Sequence, residues 1–99
     1  MKKKALNSEF ISTFREEKYD FALKIEMAYV IGRDRLDDDF KKFVNEETFC
    51  DGVTAFSFFV MYLYEKYLAS GFWDIYEFLN YEYEKYFESF KKECFVEVD

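Results

Sequence analysis

The fold of this chain is decided by the stretch from Val53 to Phe90, VTAFSFFVMYLYEKYLASGFWDIYEFLNYEYEKYFESF. This stretch holds 15 of the chain's 24 aromatic residues. A single Ser70-Gly71 pair interrupts it, and glycine at such a point is typical of the end of a helix. Because each aromatic side chain has about 150–250 Å² of surface to bury, the two halves of the stretch must supply most of the core. We therefore predict two helices here, with the first, from Val53 to Ser70, at the centre of the fold.

The rest of the chain predicts two more helices and a single domain. A chain of 99 residues can enclose one compact core. We predict an all-α, four-helix domain that covers residues 1–99. After a basic, frayed start at 1–7, the predicted elements are a first helix within 8–31, a second helix at 34–44, a loop at 45–52, the central helix at 53–70 and a fourth helix at 72–94.

Two segments leave an α+β fold open as the alternative. Large apolar side chains alternate strictly from Tyr19 to Ile31, as they do in a half-buried strand. The residues between them, such as Ala22, Lys24 and Glu26, favour a helix by propensity, and we prefer the helix. At the end of the chain, residues 95–98 fit a short strand or a docked tail.

The fourth predicted helix carries an aromatic seam at heptad spacing. The members of this seam are Phe72, Tyr76, Leu79, Tyr83, Tyr86 and Phe90. Aromatic residues at helical spacing usually belong to a core, but 24% aromatic residues are more than one small core holds. Seven of the nine tyrosines lie between 62 and 86, and tyrosine is enriched at protein interfaces. We therefore expect part of the aromatic surface to be exposed, and a homodimer formed through it is one hypothesis.

The charge distribution argues against direct binding to nucleic acid. The net charge is −7, of which residues 1–33 contribute +2 and residues 34–99 contribute −9. A surface that binds phosphates needs clustered lysine and arginine. The acidic balance instead fits a protein partner with a basic face.

The sequence also lacks the residues of the commonest catalytic and cofactor sites, which leaves a site built from carboxylates as the catalytic alternative. The chain has no histidine, which is the usual general base near neutral pH and the commonest metal ligand. The three glycines are isolated, so they do not form a phosphate-binding loop. Neither Cys50 nor Cys94 can be paired with a histidine as a nucleophile. We predict a protein that is not an enzyme and has no catalytic residues, no cofactor and no metal site.

Sequence patterns also predict a cytoplasmic protein that does not bind a membrane. The longest unbroken apolar run, Phe58–Tyr64, is far too short to span a bilayer. No apolar segment follows the basic start of the chain, as it would in a signal peptide. Two cysteines do not make a disulfide framework. We expect Cys50 and Cys94 to be reduced, with one bridge between them as the alternative.

An acidic stripe on the fourth predicted helix is the strongest candidate for a binding site. Its members step by three or four residues and so share one face of the helix: Asp74, Glu77, Tyr81, Glu84 and Glu88. Glu84 and Glu88 repel each other at i,i+4, and no base interrupts the row before Lys91. A solvated face is the simpler explanation of this pattern. Spaced carboxylates can also imitate the phosphates of a nucleic acid toward a basic protein.

A second acidic group precedes the central helix. It consists of Asp37, Asp38, Asp39, Glu46, Glu47 and Asp51. The helix dipole favours negative charge in a first turn, and this explains the three consecutive aspartates. We add Glu46 and Glu47 to the candidate partner-binding residues.

These patterns favour a non-catalytic protein-binding domain with a basic protein partner. The most specific hypothesis is an inhibitor from a phage or mobile element, of the anti-CRISPR or anti-restriction type, whose acidic face blocks a nucleic-acid-binding enzyme. The alternative is a structural or assembly protein that homodimerises through its aromatic surface. A carboxylate-dependent enzyme is the least supported hypothesis.

Overall fold

A computed structural model describes residues 3–13, 21–32 and 38–98 of the chain. The elements within these ranges are β1 (Lys4–Leu6), α1 (Ser8–Ile11), α2 (Phe21–Val30), α3 (Asp38–Glu47), α4 (Gly52–Ser70), α5 (Ile75–Glu93) and β2 (Phe95–Glu97). Helices dominate, and the all-α prediction is confirmed. α4 and α5, of 19 residues each, are the two helices predicted from the aromatic stretch.

The two ends of α4 are set by capping residues that are next to it in the sequence. Asp51 is the N-cap, and its carboxylate accepts the backbone N–H of Thr54 at 2.8 Å and the Thr54 hydroxyl at 2.9 Å. These hydrogen bonds lower the pKa of the Asp51 carboxyl group. At the other end, Gly71 has φ 82°, a left-handed conformation that glycine adopts without a steric cost. The predicted helix end at Ser70 is therefore confirmed.

α4 is the central helix, as predicted. Six consecutive residues, Phe59 to Tyr64, are buried, so the helix is covered on every side along its middle. It packs against α2, α3 and α5. The Phe59 ring lies 5.3 Å from the Phe40 ring of α3 and 4.8 Å from the Phe90 ring of α5, measured between centroids. Phe59 thus joins three helices at one point.

Residues 3–7 are paired rather than frayed, which corrects the prediction for this part of the segment 1–7, whereas Met1 and Lys2 lie outside the described residues. β1 runs antiparallel to β2, with Ala5 opposite Val96. The Lys4 carbonyl also accepts the backbone N–H of Phe49 at 2.9 Å, which attaches β1 to the segment after α3. The Asn7 backbone N–H donates to the Cys94 carbonyl at 2.8 Å. Residues 95–97 thus form the strand that was one of the two predictions for the tail.

The first predicted helix is divided in the structure. α1 ends at Ile11 because the hydroxyls of Ser12 and Thr13 donate to the carbonyls of Glu9 and Phe10, both at 2.7 Å. Such side-chain hydrogen bonds compete with continuation of a helix. Residues 21–30 are the helix α2, so the alternative strand is wrong for this part of the alternating segment.

The second predicted helix is α3, two predicted boundaries move, and one predicted helix start lies outside the described residues. α3 continues through Asn45 to Glu47, so the predicted loop at 45–52 shrinks to the four residues 48–51. α5 begins at Ile75, because Asp74 caps it. Asp34 and Asp37, the predicted start of the second helix, lie outside the described residues, whereas Asp38 and Asp39 occupy the first turn of α3.

Candidate protein-binding surface

The outward face of α5 carries four of the five predicted stripe residues. Glu77, Tyr81, Glu84 and Glu88 are all exposed, and Tyr81 retains 75% of its surface. The opposite face of α5 is buried through Ile75, Phe78, Leu79, Tyr83, Phe87 and Phe90. Both sets of residues recur every three or four positions, and they are offset from each other by about half a turn. The stripe residues therefore lie opposite the buried face. The structure therefore brings these four residues together on one surface of the molecule.

Asp74, the fifth member of the stripe, has a structural role of its own. It is the N-cap of α5, and its carboxylate accepts the backbone N–H of Tyr76 at 2.7 Å. Glu77 lies in the first turn of α5, where the positive end of the helix dipole favours an anion. Helix capping thus accounts for Asp74 fully and for Glu77 in part.

The other end of the stripe is partly neutralised. The Lys91 amine lies 2.8 Å from the Glu88 carboxylate, so Glu88 is in an ion pair. Glu82, at the edge of the stripe, is 3.7 Å from Lys85. Within the part of the chain that the structure describes, no lysine or arginine amine lies within 4.0 Å of the carboxylates of Glu77 or Glu84. Among the described residues, Glu84 is the stripe carboxylate that neither helix capping nor an ion pair explains.

Glu46 and Glu47 lie apart from the stripe, in the last turn of α3. Glu46 is exposed and Glu47 is half-buried. The last turn of α3 contains no base, and the negative end of a helix dipole disfavours acidic side chains. These two carboxylates are therefore not placed for the stability of their helix. They are the members of the second acidic group that helix capping does not explain, and they lie on a different helix from the stripe.

The aromatic seam on α5 is mostly internal. Leu79, Tyr83 and Phe90 are buried, whereas Tyr76 is 47% exposed, in line with the expectation that part of the aromatic surface is exposed. The buried face is wider than the seam because Phe78 packs against the Tyr67 ring at 5.4 Å and Phe87 against the Phe40 ring at 6.1 Å. Tyr76 lies about three turns before Phe87, the α5 residue whose ring contacts the Phe40 and Phe43 rings of α3.

The sequence analysis missed an exposed aromatic corner between α4 and α5. Trp73, the chain's single tryptophan, retains 96% of its surface. Leu68, five residues earlier, and Tyr76, three residues later, are 51% and 47% exposed. The sequence does carry one signal for this, because Trp73 directly precedes a strong N-cap residue and so stands outside the helical core pattern. Together with Tyr81 and the stripe, this corner forms a mixed aromatic and acidic surface.

The backbone under Trp73 is held in place by hydrogen bonds. The Tyr67 hydroxyl donates to the Trp73 carbonyl at 3.1 Å. The backbone N–H of Phe72 donates to the Ser70 hydroxyl at 3.2 Å, and the Phe72 ring packs 6.0 Å from the Phe78 ring. The backbone between α4 and α5 is thus held in place at Phe72 and Trp73, although the Trp73 side chain itself contacts almost nothing.

An apolar groove lies on another side of the molecule, between α3 and the start of α4. It encloses about 500 Å³ and is lined mainly by Phe40, Val44, Val53 and Phe56. None of the predicted site residues lines this groove. Asp51, from the second acidic group, stands at its rim as the cap of α4.

Both cysteines are free thiols, as expected. Cys94 is fully buried, and this burial, followed by the nearby Glu93 carboxylate, raises the pKa of its thiol to about 12. Cys50 is half-buried, and partial burial followed by Asp51 raises the pKa of its thiol. Because the thiolate is the reactive form, neither cysteine is activated as a nucleophile.

Thiol labelling should therefore distinguish the two cysteines. At about pH 8, a thiol reagent should modify Cys50 slowly and leave Cys94 unmodified until urea unfolds the protein. The measurement is the number of thiols that react with Ellman's reagent before and after denaturation. A Cys50→Ser variant that still shows a reactive thiol in the native state would place Cys94 at the surface and contradict the packing of α5 against β2.

Across the described ranges, no group of three or more histidine, cysteine, aspartate or glutamate residues is arranged to hold a metal ion. None of the described helices combines the length and the apolar character needed to cross a membrane. Comparisons with protein-family models, with curated proteins and with solved structures find no match for this chain.

Proposed function

We propose that this chain is a non-catalytic binding domain whose acidic face occupies the nucleic-acid site of a basic protein. The single observation that carries the proposal is the row Glu77, Tyr81, Glu84 and Glu88, exposed on the outward face of a helix that is well packed on its other face. The most specific form of the proposal is an inhibitor from a phage or mobile element that blocks an enzyme of a CRISPR or restriction system.

The spacing of the stripe suits partial imitation of a phosphate backbone. With a rise of about 1.5 Å per residue, the carboxylates from Glu77 to Glu88 span about 16 Å along α5. One strand of duplex DNA carries a phosphate about every 3.4 Å of helix axis, so it would present about five charges over this length. The three carboxylates of the stripe supply at most about three-fifths of that charge density, because Lys91 pairs with Glu88. Tyr81 supplies an apolar contact in the middle of the row.

The charges of the stripe are also poorly explained by helix stability alone. Glu84 and Glu88 stand at i,i+4, where like charges destabilise a helix by a few tenths of a kcal/mol. Lys85 and Lys91 form their ion pairs with Glu82 and Glu88, and neither reaches Glu84. Glu46 and Glu47 add two carboxylates at the unfavourable end of α3. A surface built to attract a basic partner accounts for both groups.

The test is to reduce the stripe charge without disturbing the helix. The double variant Glu77→Gln, Glu84→Lys makes the net charge more positive by three. Glutamine is chosen at 77 because it suits the first turn of a helix, where a lysine would oppose the dipole. The matched control, Glu26→Lys with Glu97→Gln, makes the same change at exposed positions on α2 and β2, and it places no second lysine opposite Lys4.

The proposal predicts that the wild-type protein, immobilised and exposed to a bacterial lysate, captures a nucleic-acid-binding protein. Duplex DNA should displace this protein, and so should salt, because salt screens charges at an exposed surface. The stripe variant should fold normally and lose the capture, mainly through slower association, whereas the control variant should retain it. Capture that resists both DNA and salt, or that survives in the stripe variant, would contradict the proposal.

A further inference from the structure

We propose that Trp73 is the anchor of the partner interface and that it takes an arginine side chain of the partner. This inference rests on the proposed function, because it names the group on the basic partner that the acidic face recognises. The observation behind it is a tryptophan that is 96% exposed on a backbone fixed by hydrogen bonds. Because the backbone under the indole is already ordered, binding has to order only the torsions of the side chain, and tryptophan is among the residues most enriched at binding hot spots.

The chemistry around Trp73 selects a cation. Asp74 follows it directly, and Glu77 stands in the first turn of α5. The negative end of the α4 dipole and the positive end of the α5 dipole meet at this corner and offset each other, since each amounts to about half a charge. The two carboxylates therefore remain as the net local charge. The last turn of α4 and the first turn of α5 contain no base.

Lys66, the lysine nearest to Trp73 in the sequence, contacts other side chains. Lys66 lies one turn before the end of α4, with its amine 5.1 Å from the centroid of the Tyr62 ring and 5.8 Å from that of the Tyr86 ring. Its amine is also 4.0 Å from the Glu93 carboxylate. The described part of the chain thus places no cation of its own on the Trp73 indole, although it places lysines over five other rings: Phe43, Phe49, Tyr62, Tyr86 and Phe87.

Arginine fits this corner better than lysine. Its guanidinium is planar, stacks on the face of an indole and can at the same time donate two parallel hydrogen bonds to a carboxylate. One oxygen of the Asp74 carboxylate accepts the Tyr76 backbone N–H, and the described residues provide no partner for its other oxygen or for the Glu77 carboxylate. Proteins that bind nucleic acid carry arginine at the surface that meets phosphates. The partner implied by Trp73 is therefore the same class of partner that the stripe implies.

The fluorescence of Trp73 can be used to measure binding at this corner. Because it is the only tryptophan, its emission reports this corner alone. The probes are two peptides of equal length and charge, one in which arginine alternates with glycine and one in which lysine does. The proposal expects the arginine peptide to shift the Trp73 emission and to bind more tightly than the lysine peptide. Trp73→Ala, measured by calorimetry, should weaken binding of the arginine peptide about tenfold or more and abolish its preference over lysine.

Two variants separate the failure of this inference from the failure of the proposed function. Phe49→Ala removes another exposed aromatic ring, 66% exposed and distant in the chain, and should leave peptide binding unchanged. If the stripe variant Glu77→Gln, Glu84→Lys loses the arginine peptide while Trp73→Ala binds as wild type, the acidic face stands and the anchor is wrong. If the wild-type protein does not bind the arginine peptide, or binds the lysine peptide equally well, the arginine assignment is overturned.

A second copy of the chain is the remaining occupant for this corner. In that case sedimentation would show a dimer that Trp73→Ala dissociates, and the Trp73 emission would change with protein concentration in the absence of any peptide. That result would replace the arginine assignment with self-association.

Discussion

Phe59→Ala is expected to cost about 3–5 kcal/mol of folding free energy, a large part of the total for a domain of this size. Phe59 is completely buried, and its ring contacts the rings of Phe40, Tyr83, Phe87 and Phe90 with centroids 4.8–5.7 Å apart. Truncation would leave a cavity between three helices that none of them can close alone. Because about 1 kcal/mol shifts the melting temperature of such a domain by about 4–8 °C, the variant should melt at least ten degrees lower or fail to fold.

The control for this prediction is Val53→Ala. Val53 lies on the same helix but is 82% exposed, so its truncation should change the free energy of unfolding by about 0.5 kcal/mol or less. Thermal unfolding followed by circular dichroism measures both variants. Equal melting temperatures for Phe59→Ala and the wild type would contradict the central position of α4.

Removing residues 1–7 is expected to destabilise the domain by about 2–4 kcal/mol. The truncation deletes β1 and the hydrogen bonds by which Lys3, Lys4 and Asn7 join it to Val98, Phe49 and Cys94, at 2.8–3.1 Å. Each such bond contributes about 0.5–1.5 kcal/mol net. The truncation also removes the N-cap of α1 and the half-buried Leu6 side chain. The measurement is the urea midpoint of unfolding.

The double variant Lys3→Ala, Lys4→Ala separates backbone pairing from charge in this experiment. It keeps the strand and loses only the contacts of two lysine amines with the Phe49 and Phe43 rings, 5.6 and 5.7 Å from the centroids. Such contacts are worth about 0.5–1 kcal/mol at exposed sites. If the truncation and the double variant share one midpoint near the wild-type value, the start of the chain contributes nothing through its strand.

The two binding surfaces of the proposals meet at one end of α5. The stripe runs along the outward face from Glu77, and Trp73 stands two residues before Ile75, the first residue of that helix. Tyr81 links them, since its ring stacks 6.3 Å from the Phe72 ring at an angle of 21°. A basic partner that lies along α5 would therefore meet the indole at one end and carboxylates over the following three turns.

The sequence by itself determined the features that depend on neighbours in the chain. Asp51, Asp74 and Asn7 cap helices because their side chains reach backbone N–H groups two or three residues ahead. Gly71 ends α4 because only glycine takes a left-handed conformation at little cost. The central position of α4 also followed from the sequence, since a helix with apolar residues all round has to be buried. The helical period alone placed the stripe on one face of α5.

Tertiary structure decided what depends on distant segments. β1 pairs with β2 across almost the whole chain, and a short basic segment at the start of the chain gives no local sign of such a partner. Phe87 is buried and Tyr76 is exposed because the Phe40 and Phe43 rings of α3 cover only the later turns of α5. Phe72 and Trp73 are adjacent aromatic residues, yet one packs against Phe78 and the other points into water. Spacing shows which residues share a face, but only the neighbouring helices determine how much of that face is covered.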